Sequence, residues 1–486
     1  MNWRDEDPGL PIKFGPCSNG EYEPRPSTPV VRETERRARA LAELAARGTG
    51  MTRREFLLSA CGAAATLSVL AACTREALRE RGRTPGGTYS VPPEATYSPD
   101  DAHEAIGGEE FVFDVQGHLL QYESNPAAED DDFWTLFPQR DCGEDDPRIC
   151  FSIEHFMEEM FLKSDTNMVV LSGLPIFPER SPLSAEVMEE TRRTVLALCR
   201  DPRLQMHALA LPNSGSLEAN LAAMEAVAGS EPVVGWKTFT HFPSVDGAGW
   251  WLDDHDPSVP AVGERFIRKA VEVGVPNIAV HKGLAGSDPF ASPEDVGPAA
   301  RRHPEANFVI YHSGYDSGVT EGSFARGGLG IDRLIASLRR AGVEPNSNVY
   351  AELGSTWWLV MRDPDEAAHV LGKLLRYVGE DNVLWGTDCI FYGSPQDQIQ
   401  AFRAFEISPE FQERFGYPAL TKERKAKILG LNGARLYGVD PITVPCEFTR
   451  RELEEVRRGL RTGNVTYGPR TAAEVRAVEA AHRGWP

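Results

Sequence analysis

The chain has 486 residues, of which 41% are apolar and 25% charged, and eight cysteines. That composition excludes a collagen, a wholly disordered chain and a multi-span membrane protein, and so few cysteines do not build a disulfide scaffold. Acidic residues outnumber basic ones, 72 to 51, giving a net charge of −21. A surface of that sign repels phosphate backbones, so the expected partner is a small molecule and not nucleic acid.

Residues 1–50 form an N-terminal extension containing a charged, helix-compatible stretch from Val31 to Arg47. Either that extension is translated or the chain starts at Met51. Residues 51–73 read MTRREFLLSACGAAATLSVLAAC. Two arginines, Arg53 and Arg54, precede an uncharged run of small and apolar residues, which is the layout of a twin-arginine export signal. The competing reading is an internal core helix. The run ends Leu70-Ala71-Ala72-Cys73, which resembles a lipobox with Cys73 as the lipid-bearing residue. The expectation is an exported protein, periplasmic or extracellular, with Cys73 as a lipid anchor to the membrane surface. Residues 74–110 are rich in Arg, Pro, Gly and Glu and read as a linker or arm.

From residue 111 the pattern changes. Eight short apolar runs follow, at 111–119, 168–176, 204–212, 233–239, 277–283, 307–314, 348–354 and 382–391. Amphipathic segments separate them, clearest at 184–200, 216–228, 259–274, 331–341 and 364–378. Continuous apolar runs mark strands covered on both faces, as in a parallel sheet wrapped by helices. Eight such units predict an α/β fold, a (β/α)₈ TIM barrel over residues 111–440, followed by a C-terminal helical tail over 441–486. An open doubly wound sheet is disfavoured, because no glycine fingerprint follows the first strand.

In a barrel of this kind chemistry sits at the C-terminal ends of the strands. The first run carries Gln116 and His118, the fourth Lys237, the fifth His281, the sixth His312, the seventh Glu352 and the eighth Asp388. Imidazoles and a carboxylate converging from different strands suit zinc, with manganese as the alternative. Lys237 and Glu352 are either site residues or members of a buried ion pair. His241 and His255 lie in a loop that either lines the pocket or faces solvent. Trp357 and Trp358 are either a substrate wall or packing. Cys142 and Cys150 fit a small disulfide loop or two free thiols.

The order D-x-Q-x-H on the first strand, H-x-G on the fifth and sixth, and G-T-D on the eighth resembles the amidohydrolase superfamily. It is most similar to the amidohydrolase-related branch that includes aminocarboxymuconate-semialdehyde decarboxylase. The segment from Lys427 to Tyr437 is similar to that branch's closing helix. The resemblance implies His118, His281 and Asp388 as metal ligands, His312 as the group that polarises substrate or shuttles a proton, and Asp388 as base. It also implies a divalent metal that lowers the pKa of bound water towards ~7, and it raises a homodimer by analogy. The family usually has His where this chain has Gln116. Three readings follow: Gln116 binds the metal through oxygen, it orients substrate, or the metal site is degraded. The reactions expected are hydrolysis of a C–N or ester bond, with Asp388, His312 and Lys237 as catalytic groups, or decarboxylation of an aromatic or unsaturated acid. Lys237, Lys282 and Arg326 would supply positive charge for the carboxylate in the latter. A non-catalytic ligand-binding lipoprotein is the third reading.

Overall fold

A computed structural model describes residues 7–121, 142, 144, 146–176, 181–199, 202–241, 249–284, 288–441 and 463–483. Eight parallel strands follow one another in chain order: β1 (Phe113–Gly117), β2 (Met168–Ser172), β3 (Leu204–Leu209), β4 (Gly235–Phe239), β5 (Asn277–His281), β6 (Asn307–Tyr311), β7 (Val349–Glu352) and β8 (Val383–Leu384). Each falls inside one of the eight predicted runs. The sheet curls so that its last edge meets its first. Val115 N donates to Trp385 O at 3.0 Å, Asp388 N to Gln116 O at 2.9 Å and His118 N to Cys389 O at 2.7 Å. The result is the predicted (β/α)₈ barrel, and it leaves no free edge at this seam.

Burial explains the strand composition. Val169, Leu171, Ile278, Val280, Phe308 and Ile310 pack outward beneath the helices. Phe113, Val115, Met168, Val170, Ala279, Val309 and Leu384 fill the barrel interior with Ala434. Both faces are dry, so the alternation of polar and apolar residues disappears. The segment from Lys427 to Tyr437 closes the lower end, where Asn432 Nδ2 donates to Glu380 O at 2.9 Å and Val383 O at 2.8 Å. The predicted helices at 184–200, 216–228, 259–274, 331–341 and 364–378 appear as Ala185–Cys199, Leu217–Ser230, Gly263–Glu272, Ile331–Ala341 and Pro364–Tyr377.

The described residues of the N-terminal region are folded. Lys13, Asn19 and Arg25 bind barrel residues, and the helix Ala60–Glu80 packs on the helix Gln396–Ala404. Thr28 caps a helix over Pro29–Thr49, its hydroxyl accepting from Val31 N at 3.2 Å. A second long helix, Ala60–Glu80, buries Cys61, Ala64, Leu67 and Leu70. Cys73 is buried too, and Arg53 pairs with Asp7 at 3.0 Å and Glu43 at 2.6 Å. Residues 74–110 pack on the fold. Gly87–Tyr89 pairs antiparallel with Phe405–Ile407, and Pro99–Ile106 is a helix capped by Ser98. Among the described residues no helix is long and apolar enough to cross a membrane. Cys142 and Cys150 are joined in a disulfide, which decides between the two readings of that pair. In the expected helical tail over 441–486 the helix Ala472–Arg483 is present, and residues 442–462 lie outside the described residues.

Candidate metal centre

The site is assembled at the C-terminal strand ends, and two backbone irregularities decide which side chains face it. Residues that continue the inward alternation of their strands need no help: Lys237 on β4, His281 at the end of β5, Glu352 at the end of β7 and Asp388 beyond β8. Gln116 and His118 have the opposite parity to the interior residues Phe113 and Val115. A register shift between Asp114 and Gly117 re-aims them, as bulges at barrel rims do. His312 likewise follows the interior residue Tyr311 directly. Its φ of 62° turns the chain into the left-handed region and swings the ring inward. Ser313, Ser355 and Asp388 share that conformation, with φ of 54°, 54° and 60°. Non-glycine residues held there cost backbone energy and gather at functional sites.

Each letter of the eighth-strand motif has a physical task. A Cβ at Gly386 would collide with Glu352 Oε1, so only glycine leaves room for that carboxylate. Thr387 donates from its amide at 3.1 Å and from its hydroxyl to the buried Asp114. Asp114 in turn accepts from Gln116 N at 3.0 Å, which fixes the bulge. Asp388 then projects into the site, where Gln116 Nε2 reaches Oδ1 at 3.0 Å and Ser355 Oγ reaches Oδ2 at 2.5 Å. Ser355 is joined to Tyr392 at 2.5 Å and Tyr392 to Tyr22 at 3.0 Å, so a hydroxyl chain leads away from Asp388.

The histidines are held in the form a cation needs. His118 Nδ1 lies 2.8 Å from Ser172 O and His312 Nδ1 lies 2.8 Å from Gly354 O. With Nδ1–H donating to a carbonyl, each ring turns the Nε2 lone pair to the site. His312 Nε2, His281 Nε2 and Gln116 Oε1 are buried with no hydrogen-bond partner among the described residues. His118 Nε2 faces Asp388 Oδ1 at 3.1 Å. Two lone pairs at that distance repel unless a proton or cation lies between them. Burial pushes the imidazoles down, His312 to about 4 and His281 well below its ordinary value, so both are neutral at pH 7. Burial lowers the Lys237 ammonium to about 7, although Glu21, Asp388 and Glu352 pull it back up. Burial also raises Asp114 to about 7 and Glu352 well above the carboxylate range. Imidazole nitrogens beside the Asp388 carboxylate are the donor set of a divalent cation, and the residues fit one.

Of the predicted residues, Gln116, His118, His281, His312, Asp388, Lys237 and Glu352 converge here. Lys282 does not: its Nζ is tied to Asp295 at 2.9 Å and Phe290 O at 2.7 Å. Arg326 is exposed. The His241 ring comes within 4.8 Å of His281, whereas the half-exposed His255 pairs with Asp253 at 2.5 Å. Trp357 belongs to packing, with Nε1 on Gln398 O at 2.9 Å and its ring against Phe402. Trp358 stacks on Tyr392 at 4.7 Å, one residue removed from the Asp388 chain. Two site residues escaped the sequence reading, Asn19 and Glu21. Asn19 Nδ2 donates to Asp388 Oδ2 at 2.7 Å and to Glu21 Oε2 at 2.6 Å. Glu21 Oε1 lies 3.5 Å from His281 Nδ1, and its Oε2 lies 3.7 Å from His312 Nε2. Nothing in their local sequence marks them, because they reach the site from a segment outside the barrel pattern.

A family profile described as Amidohydrolase (Amidohydro_2) matches residues 180–439, just over half of the chain. The chain belongs to that family, a divalent-metal-dependent one, and is an enzyme of the amidohydrolase fold. Among solved structures it is similar to 2,6-dihydroxybenzoate decarboxylase from Rhizobium, with 14% identity and a TM-score of 0.40, covering 68% of this chain and 99% of the other. It is also similar to 5-carboxyvanillate decarboxylase from Sphingomonas paucimobilis, with 15% identity and a TM-score of 0.40, covering 68% and 100%. A 4-oxalomesaconate hydratase from Rhodopseudomonas palustris gives 18% identity and a TM-score of 0.41, covering 68% and 96%. No curated protein matches the chain.

Proposed function

We propose that this protein is a metal-dependent hydrolase that cleaves a C–N or ester bond of a small organic substrate. His118, His281 and Asp388 would hold the cation, with zinc the first choice and manganese the second. When bound, the cation supplies Lewis acidity towards water or a substrate oxygen. The observation that carries the reading is the state of Asp388. Gln116, Ser355 and Asn19 all donate to it, which favours the ionised carboxylate, a proton acceptor, at the mouth of the imidazole cluster. His312, fixed by Gly354 O, holds or moves a proton at Nε2. Lys237 Nζ, with no hydrogen-bond partner among the described residues, lies 3.7 Å from the centre of the Tyr311 ring and is available to an anionic substrate group.

That same lysine favours a second reading, decarboxylation of an aromatic or unsaturated acid, in which it would bind the carboxylate. Full-length enzyme loaded with zinc or manganese, incubated with amides, esters and aromatic acids, separates the two. An acid with its amine or alcohol supports hydrolysis, and carbon dioxide release supports the lyase. No turnover of any class by metal-loaded protein would sink both.

Two arrangements of the N-terminus compete. Twin-arginine export with Cys73 lipidated would remove residues 1–72, and the disulfide favours such an oxidising compartment. The burial of Cys73 and the contacts of Asn19 favour a chain that works intact. The mass of the mature protein decides between them.

A further inference from the structure

We propose that Glu21, delivered by the N-terminal segment, is a ligand of the divalent cation and supplies the negative charge that the neutral Gln116 on β1 does not. This rests on the reading of the strand ends as a metal centre. Gln116 is a neutral amide and its Nε2 is spent on Asp388 Oδ1 at 3.0 Å. Imidazole ligands bring no negative charge, so Asp388 alone leaves a buried divalent cation half neutralised, which is costly in a dry site. A second carboxylate completes the charge. One ligand atom each from Glu21, His281 and His312 lies within 4.8 Å of the other two, so Glu21 is close enough to reach an ion held by His281. Asn19 ties Glu21 to Asp388 through one amide nitrogen, 2.6 Å from one and 2.7 Å from the other. Two carboxylates brought that close, with no cation between them, repel.

The segment is anchored on both sides of Glu21, as a ligand's support must be. Ahead of it Lys13 pairs with Asp397 at 3.0 Å and donates to Ser394 O at 2.6 Å. Behind it Arg25 binds Glu366 at 3.0 Å, Ser317 O at 3.1 Å and Val319 O at 2.6 Å. Tyr22 reaches Tyr392 at 3.0 Å, on the hydroxyl chain from Asp388. The charge that the first strand does not bring is therefore supplied from outside the barrel, a site completed by an extension.

The test is a zinc titration of chelator-stripped full-length protein, read by competition with a chromophoric chelator, with cobalt absorption as a second readout. Glu21→Gln should weaken zinc binding by at least about tenfold and alter the cobalt spectrum, while thermal unfolding of the stripped protein stays unchanged. Adding Gln116→Glu to that variant should recover the affinity. Equal zinc affinity and an unchanged cobalt spectrum in Glu21→Gln would overturn the proposal and leave the metal centre standing. Failure of the wild type itself to bind zinc or cobalt would overturn the metal centre, and this ligand with it.

Discussion

The barrel and the N-terminal region are built by different rules. In the barrel each strand buries both faces, and neighbours in sequence are neighbours in space. Its eight strands and most of its helices are legible from runs of apolar residues. The N-terminal region carries an export-like sequence and a charged helix, and its role comes from long-range contacts. Lys13 meets Asp397, Asn19 meets Asp388 and Arg25 meets Glu366. A segment of this kind has no periodicity that points to its destination. The comparison teaches that a familiar local pattern, two arginines before a small-residue run, is compatible with a helix packed in a folded body.

The sharpest way to break the comparison is to remove the barrel's own share of the site. His118→Ala with Asp388→Ala should abolish bound metal by elemental analysis and lower kcat by on the order of 10³ or more. Retained stoichiometric metal in that variant would place the cation elsewhere. Next is a chain starting at Thr74. It loses Asn19, Glu21 and the part of the helix that buries Cys61, Leu67 and Leu70. It should express as an insoluble or low-melting protein. A soluble product with full-length zinc affinity would show the N-terminus to be dispensable and would favour processing before Cys73.

Gly386→Ala probes the barrel alone. The added methyl meets Glu352 Oε1, so unfolding in urea should show a loss of about 1–3 kcal/mol. No loss would mean that Glu352 moves freely. The smallest effect is where barrel and extension meet. His369 lies on the barrel helix Pro364–Tyr377, and its pKa is lowered from 6.5 to about 4, chiefly by burial, with Lys373 and Arg83 adding repulsion. Between those values the unfolded chain binds a proton that the folded one refuses. Stability contributed by the neutral ring is complete above 6.5 and declines as pH falls towards 4. His369→Gln should flatten that slope in melting temperature against pH, and an unchanged slope would remove His369 as its source.

Much of the site was legible because its chemistry sits at predictable strand ends. His281, Lys237, Glu352 and Asp388 follow the inward alternation of their strands. Residue type singles out Gln116, His118 and His312, but alternation alone aims them outward. A register shift and a left-handed residue turn them in, and neither device is visible in residue type. The structure separates Lys282 and Arg326 from the site, because one is consumed by Asp295 and the other is exposed.

The sequence by itself determined the eight βα units, the barrel they close into and the residue types at its mouth, since burial on two faces and strand polarity are local properties. Tertiary structure alone decided that Asn19 and Glu21 stand beside Asp388 and His281. Those contacts join residues hundreds of positions apart, and their geometry exists only once the barrel has closed and the N-terminal segment has packed across it.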